Sequence, residues 1–266
     1  MAYALAAMSL VRTEDRGPVR HVVLDRAEKR NALNDEVILG LDEAFRAAAS
    51  DPDVRCVVVR GDGPMFSSGM DHSSLGSLAM EPERLREFRA GVLGTWNLLE
   101  EMAKPTIAQI HGACLGGAME LALACDLRVM AADAVIGLVE TRVGLVPDVG
   151  GSSRLPAVVG VGRAKELIMC SKVIDGTEAE RIGLVNRVAP ADGLEAATEA
   201  LVGELLACAP LAVGLAKRIV DLAAKPALAA SLEQEVTAQA LCARSEDFAE
   251  ATRAFVEKRQ PSFSGR

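Results

Sequence analysis

His111-Gly112-Ala113-Cys114-Leu115-Gly116-Gly117-Ala118-Met119-Glu120-Leu121-Ala122-Leu123-Ala124-Cys125-Asp126 is the stretch whose reading decides the fold. A glycine pair opens an apolar helix, expected over Ala118–Cys125, and the helix interior carries one acid. The helical neighbours of Glu120 three and four positions away are Gly116, Gly117, Leu123 and Ala124, and none can pair with its charge. Such a carboxylate is either exposed by accident or held in a dry pocket, where desolvation raises its pKa and suits it to carry protons. A second acid, Glu140, ends Ile136-Gly137-Leu138-Val139-Glu140, just ahead of Val143-Gly144-Leu145-Val146-Pro147-Asp148-Val149-Gly150-Gly151.

Outward from this stretch, short β-branched runs alternate with alanine-rich helical ones. Strands are expected at Val19–Leu24, Cys56–Arg60, Thr106–Ile110, Leu127–Met130, Val135–Leu138 and Val185–Val188. Helices are expected at Asp35–Ala49, Glu81–Met102, Arg163–Ser171, Thr177–Ile182, Leu194–Ala207, Ala209–Ala224, Ser231–Arg244 and Glu246–Lys258. Strand-then-helix gives way to helix alone in the last third. The pattern predicts an α/β core of parallel strands over residues 1–205, followed by a helical part over 206–266.

Composition narrows the function classes. Half of the 266 residues are hydrophobic, but only 3% are aromatic, so alanine, valine and leucine must do the packing. A net charge of −8 argues against nucleic acid as the partner. The basic clusters Arg26–Arg30 and Lys258–Arg259 are short and suit a small anionic ligand. Cys56, Cys114, Cys125, Cys170, Cys208 and Cys242 are irregularly spaced, which fits neither a zinc site nor a disulfide framework. Reduced thiols in a cytoplasmic protein are expected. The apolar run Ala2–Leu10 is too short to span a bilayer and has no basic residue ahead of it, so no membrane partner is expected.

Three glycine-rich turns follow strands: Gly61–Asp71, Gly112–Gly117 and Pro147–Ser152. None ends in the Lys-Ser/Thr of a phosphate loop, which argues against a nucleoside triphosphate. The other use of such turns is to present backbone N–H groups. Amides at Met70 and Gly117 are candidates to converge on one oxygen, the second at a helix N-terminus where the dipole favours negative charge. The plain alternative is that these glycines only make turns.

Together these segments resemble the crotonase family of enoyl-CoA hydratases and isomerases. The likeness includes Leu24-Asp25-Arg26-Ala27-Glu28-Lys29-Arg30-Asn31-Ala32-Leu33-Asn34, Phe66-Ser67-Ser68-Gly69-Met70-Asp71, the Gly116-Gly117 helix with its acid, the Glu140 segment, Ser245-Glu246-Asp247-Phe248 and Phe255-Val256-Glu257-Lys258-Arg259. The resemblance implies a spiral of strand–strand–helix turns with C-terminal helices that mediate trimer contacts, as a homotrimer or a hexamer of two trimers. It implies that the amides of Met70 and Gly117 hold the thioester carbonyl of an acyl-CoA. It implies that Glu120 and Glu140 share one water, Glu120 as base toward it and Glu140 as proton donor to C2. No metal or redox cofactor is implied; coenzyme A is part of the substrate. Lys29, Arg30, Ala32, Asp71, Gly116, Phe255 and Lys258 fall at or beside the places where the family meets the substrate, Phe255 and Lys258 reaching a neighbouring subunit's nucleotide.

Asp148 divides the possibilities. Several isomerases of the family place an acid there, which would move a proton between C2 and a more distant carbon. The local alternative is a cap for a helix starting near Gly150. An ion pair with Arg142 is the local alternative for Glu140. His72 lies at the expected pocket edge, whereas His21 and His111 sit in strand-like runs and read as structural. Hydration of a 2-enoyl-CoA is the expected activity, with isomerisation second. A non-catalytic acyl-CoA-binding protein is opposed by the two glutamates.

Overall fold

The computed structural model describes residues 10–71 and 82–266; His72 lies outside them. The strands in chain order are β1 (Val11–Arg16), β2 (Val19–Leu24), β3 (Cys56–Gly61), β4 (Thr106–Ile110), β5 (Ala113–Leu115), β6 (Leu127–Ala131), β7 (Val135–Gly137), β8 (Ile174–Asp175) and β9 (Arg187–Ala189). A six-stranded sheet runs β1-β2-β3-β4-β6-β9, and a three-stranded one runs β5-β7-β8. Apart from the antiparallel β1–β2 hairpin the large sheet is parallel. Its inner strands read as continuous apolar runs, such as Val57-Val58-Val59, because both faces are covered.

The small sheet positions the site. Parallel bridges Ser67↔Cys114 and Leu33↔Met70 extend it by two further rungs. Successive chain segments therefore stack side by side: Leu33, then the 67–70 turn, then β5, then β7. Each turn of the spiral gives one strand to the large sheet and one segment to this stack. In this way Met70 and the Gly116-Gly117 pair, far apart in sequence, come to adjacent rungs.

Helices fill the gaps between strands. α1 (Asp35–Ser50) begins where the Asn34 side chain accepts a hydrogen bond from Val37 N, and it buries Val37, Ile38, Leu41 and Phe45. α2 (Pro82–Glu101) buries Trp96 completely. α3 (Gly117–Ala124) is buried at every residue, so its periodicity carries no polar face. α4 (Gly151–Val159), α5 (Val161–Met169) and α6 (Gly176–Arg181) complete the core. α7 (Leu194–Leu206), α8 (Pro210–Ala224), α9 (Leu228–Cys242) and α10 (Glu246–Glu257) form the helical last third. The expected boundary at 205/206 falls at the end of α7. α9 packs against α2 and α4, and α10 packs against the 3-10 turn Glu140–Val143.

The differences from the sequence expectation have local causes. β1 was not expected, because Val11-Arg-Thr-Glu-Asp-Arg is a charged edge strand with one apolar residue. α4 was not expected, because Pro156 interrupts the pattern within it. The last strand begins two residues later than Val185–Val188 and ends one later, since Leu184 and Val185 are buried ahead of it without joining the ladder.

Candidate active site

Glu120 is held by a run of backbone amides. Its Oε1 accepts hydrogen bonds from Val149 N at 2.9 Å and Gly151 N at 2.8 Å. A side chain is excluded at Gly151, where a Cβ would lie 2.9 Å from the same oxygen. Burial pushes the Glu120 carboxyl up; the two amides and the Arg89 and Arg154 guanidinium groups pull it partly back.

Glu140 opens the 3-10 turn Glu140–Val143. Its Oε2 is buried and has no hydrogen-bond partner among the described residues. Burial, then the charges of Glu120 and Asp148, drive its pKa well above the ordinary carboxylate range. Arg142 is exposed and makes no ion pair with it among the described residues, so the local salt-bridge alternative does not hold. Gly116 sits at φ +54°, and a Cβ there would lie 2.9 Å from Glu140 Oε1. Only glycine suits that backbone and leaves the carboxylate in place.

Asp148 is not a helix cap. The N-cap of α4 is Gly150, at φ +109°, without a side-chain cap hydrogen bond. Asp148 is buried, and its Oδ2 lies 2.5 Å from Arg89 Nε on α2, both side chains 3% exposed. Burial pushes its pKa up to about 8, with the Glu120 and Glu235 charges adding to the rise and Arg89 opposing it.

Met70 and Gly117 meet as the stacked rungs require. A Cβ at Gly117 would lie 2.9 Å from Met70 Cε, so the Met70 side chain lies across the start of α3. The Leu33–Met70 bridge uses Gly69 O and Asp71 N, leaving Met70 N outside it. Gly117 is the first residue of α3, where the N–H has no intrahelical acceptor. Two backbone donors are thus offered beside two buried acids.

The remaining expected residues are dispersed. Lys29 and Arg30 are exposed, Arg30 in the left-handed region at φ 55°. The loop carrying them is fixed by buried Asn31, whose Nδ2 donates to the carbonyls of Asp62, Met65 and Phe66. Asp71 forms an ion pair with Arg26 at 2.7 Å, and the same guanidinium donates to Ala32 O, so Asp71 braces this loop. Phe255 is exposed on α10, and Lys258 caps that helix at φ 54°. His111 bonds Gly63 O at 2.9 Å, and His21 is buried in β2; both are structural.

Sequence reasoning missed Arg89, Glu235 and Gln239. Nothing in the sequence distinguishes Arg89 from Arg84 and Arg86. Glu235 follows Glu233 in a helix with little amphipathicity and reads as solvated. In the structure it is 5% exposed, and burial and Glu120 push its pKa up to about 7.

These raised values set the pH dependence of stability. Between the ordinary carboxylate range and about 7 to 8, folded Glu235 and Asp148 keep protons that the unfolded chain has released. The stabilisation is complete below the unfolded values and is lost as pH rises through the folded ones. Urea unfolding should therefore show a lower midpoint at about pH 8.5 than at about pH 5. A midpoint that rises with pH would contradict these environments.

An amide pair on adjacent rungs and two buried acids in unlike environments thus lie on one strand–strand–helix spiral. The chain belongs to the enoyl-CoA hydratase/isomerase family, whose model matches residues 14–266. It is 37% identical over 242 residues to a crotonyl-CoA hydratase of Syntrophomonas wolfei, covering 90% of this chain and 92% of that protein. It is 36% identical to the mitochondrial methylglutaconyl-CoA hydratase of Mus musculus, covering 97% and 86%. The fold matches the crystal structure of an enoyl-CoA hydratase from Mycobacterium avium subsp. paratuberculosis with a TM-score of 0.83 at 29% identity, covering 96% and 98%. The crotonase-like spiral expected from the sequence is therefore the fold of this chain.

Proposed function

We propose that the protein is an enoyl-CoA hydratase that adds water across the 2,3 double bond of an acyl-CoA. The observation that carries this is the unequal pair of acids. Burial raises the Glu120 pKa, but two amides donate to its carboxyl and the Arg89 and Arg154 charges pull the value back toward the ionised form. Glu140 has a buried oxygen without a partner and a strongly raised pKa, which favours its protonated form. Two carboxyls whose surroundings separate them in this way divide into base and acid. Glu120 takes the proton of the attacking water as its oxygen bonds to C3. The pair of electrons displaced from the double bond moves toward the thioester, forming an enolate. The amides of Met70 and Gly117 donate to that oxygen, a contribution of roughly 10²–10³ per donor. Glu140 then protonates C2. No cofactor beyond the substrate's own coenzyme A takes part.

Isomerisation is the second reading, favoured by one observation: Asp148 is buried in the site and is free of capping duty. An acyl-CoA would lay its nucleotide toward the loop of Lys29 and Arg30. A homotrimer or hexamer is supported by the exposed apolar row Leu211, Leu215, Ile219 and Leu222 on α8. Matched series of 2-enoyl-CoA and 3-enoyl-CoA substrates test the choice. The hydratase consumes the first and yields 3-hydroxyacyl-CoA; consumption of the second series alone would favour the isomerase.

A further inference from the structure

The loop 146–151 is held from two sides. On one side Val149 N and Gly151 N donate to Glu120 on α3. On the other, Gly150 N donates to Glu235 Oε2 at 2.7 Å, and Val146 N donates to Gln239 Oε1 at 3.1 Å. Glu235 and Gln239 are four residues apart on α9, so they stand one turn apart on the same face. Consecutive amides thus point in opposite directions, an arrangement that Gly150 allows. Its φ is +109°, and a Cβ there would strike the Arg154 guanidinium. Asp148 rides on the same loop.

We propose that Glu235 is a positioning residue, which ties the C-terminal helix α9 to the amide run that holds Glu120 and so fixes the distance between Glu120 and the reacting water. This deepens the hydratase reading and rests on it for its kinetic consequence. One turn along α9, the neutral amide of Gln239 does a similar tethering job at longer range. At Glu235 the chain uses a buried acid, which is costly to hold next to Glu120 and Asp148. Once ionised, above its pKa of about 7, the Glu235 carboxylate accepts a shorter and stronger bond than an amide carbonyl does. The stronger tether falls on Gly150, the residue between the two amides that grip Glu120.

Hydrogen exchange and kinetics on Glu235→Ala and Glu235→Gln test the proposal. In Glu235→Ala the peptide covering residues 146–151 should exchange at least about 10-fold faster, because its Gly150 tether is gone. Its kcat should fall by about 10-fold or more, toward the ~10²-fold that a ~1 Å misplacement can cost, with KM nearly unchanged. Glu235→Gln keeps an oxygen acceptor and should restore slow exchange and most of kcat. Unchanged exchange and unchanged kcat in a folded Glu235→Ala would overturn the proposal, as would a fall in kcat that Gln does not rescue. Exchange is read without turnover. Faster exchange in an enzyme that hydrates nothing would therefore keep the tether and remove the hydratase reading, while unchanged exchange would remove the tether whatever the reaction.

Discussion

Glu140→Gln should abolish hydration of a short 2-enoyl-CoA while leaving the protein folded, and Glu120→Gln should do the same. Loss of one general acid or base is worth ~10²–10⁴-fold in rate. The fold survives for reasons visible at each position. Glu140 Oε2 has no hydrogen-bond partner among the described residues, so an amide there costs no bond. A glutamine at 120 still offers one carbonyl oxygen to Val149 N and Gly151 N. Neither amide can exchange a proton with water or with C2. The two variants should separate by step. Glu120→Gln leaves the proton donor in place but no base for water. Glu140→Gln leaves an activated water with no proton for C2. Steady-state kinetics with circular dichroism check both. Either variant retaining more than about a tenth of the wild-type rate would deny that glutamate its role.

Asp148→Ala should be the more damaging change to stability. It leaves the Arg89 guanidinium, 3% exposed, without its carboxylate. With Asp148 ionised, above its pKa of about 8, removing one partner of the buried pair costs about 3–5 kcal/mol, because an uncompensated charge stays behind. The pair itself is weak evidence of net stabilisation, so replacing Arg89 by Met in the same chain should recover much of the loss. Urea unfolding of the two variants measures this. An Asp148→Ala loss below about 1 kcal/mol would fit a cap and contradict the ion pair. The gentler Asp148→Asn divides the two activities. In a hydratase it leaves hydration near the wild-type rate. In an isomerase it removes 3-enoyl turnover and the uptake of deuterium at the distal carbon.

The α/β core of parallel strands was legible in the alternation of β-branched and alanine-rich runs, and the spiral came with the family resemblance. Gly69 marks the place where backbone must pass close to backbone, Gly116 where it passes a carboxylate and Gly117 where it passes the Met70 side chain. Glu120 was legible because an acid without a helical partner stands out in Ala118–Cys125. Asp148 was visible, but its partner was not. Arg89 lies 59 positions earlier in a helix of similar charged residues, and an ion pair between α2 and a loop leaves no local spacing to read. The capping expectation failed because Gly150 takes the cap position with a positive φ. Glu235 was hidden for the same reason. Its acid is buried by docking of α9, a tertiary event, and its own helix pattern gives no sign of it.

The measurement closest to the central claim follows atoms. A short 2-enoyl-CoA is incubated with the protein in deuterium oxide enriched in oxygen-18, and the product is read by mass spectrometry and proton NMR. Hydration through Glu120 and Glu140 predicts a 3-hydroxyacyl-CoA with oxygen-18 at C3 and one deuterium at C2, and neither label when both glutamates are replaced by glutamine. Deuterium entering the unsaturated acyl chain with no oxygen-18 in any product would contradict it.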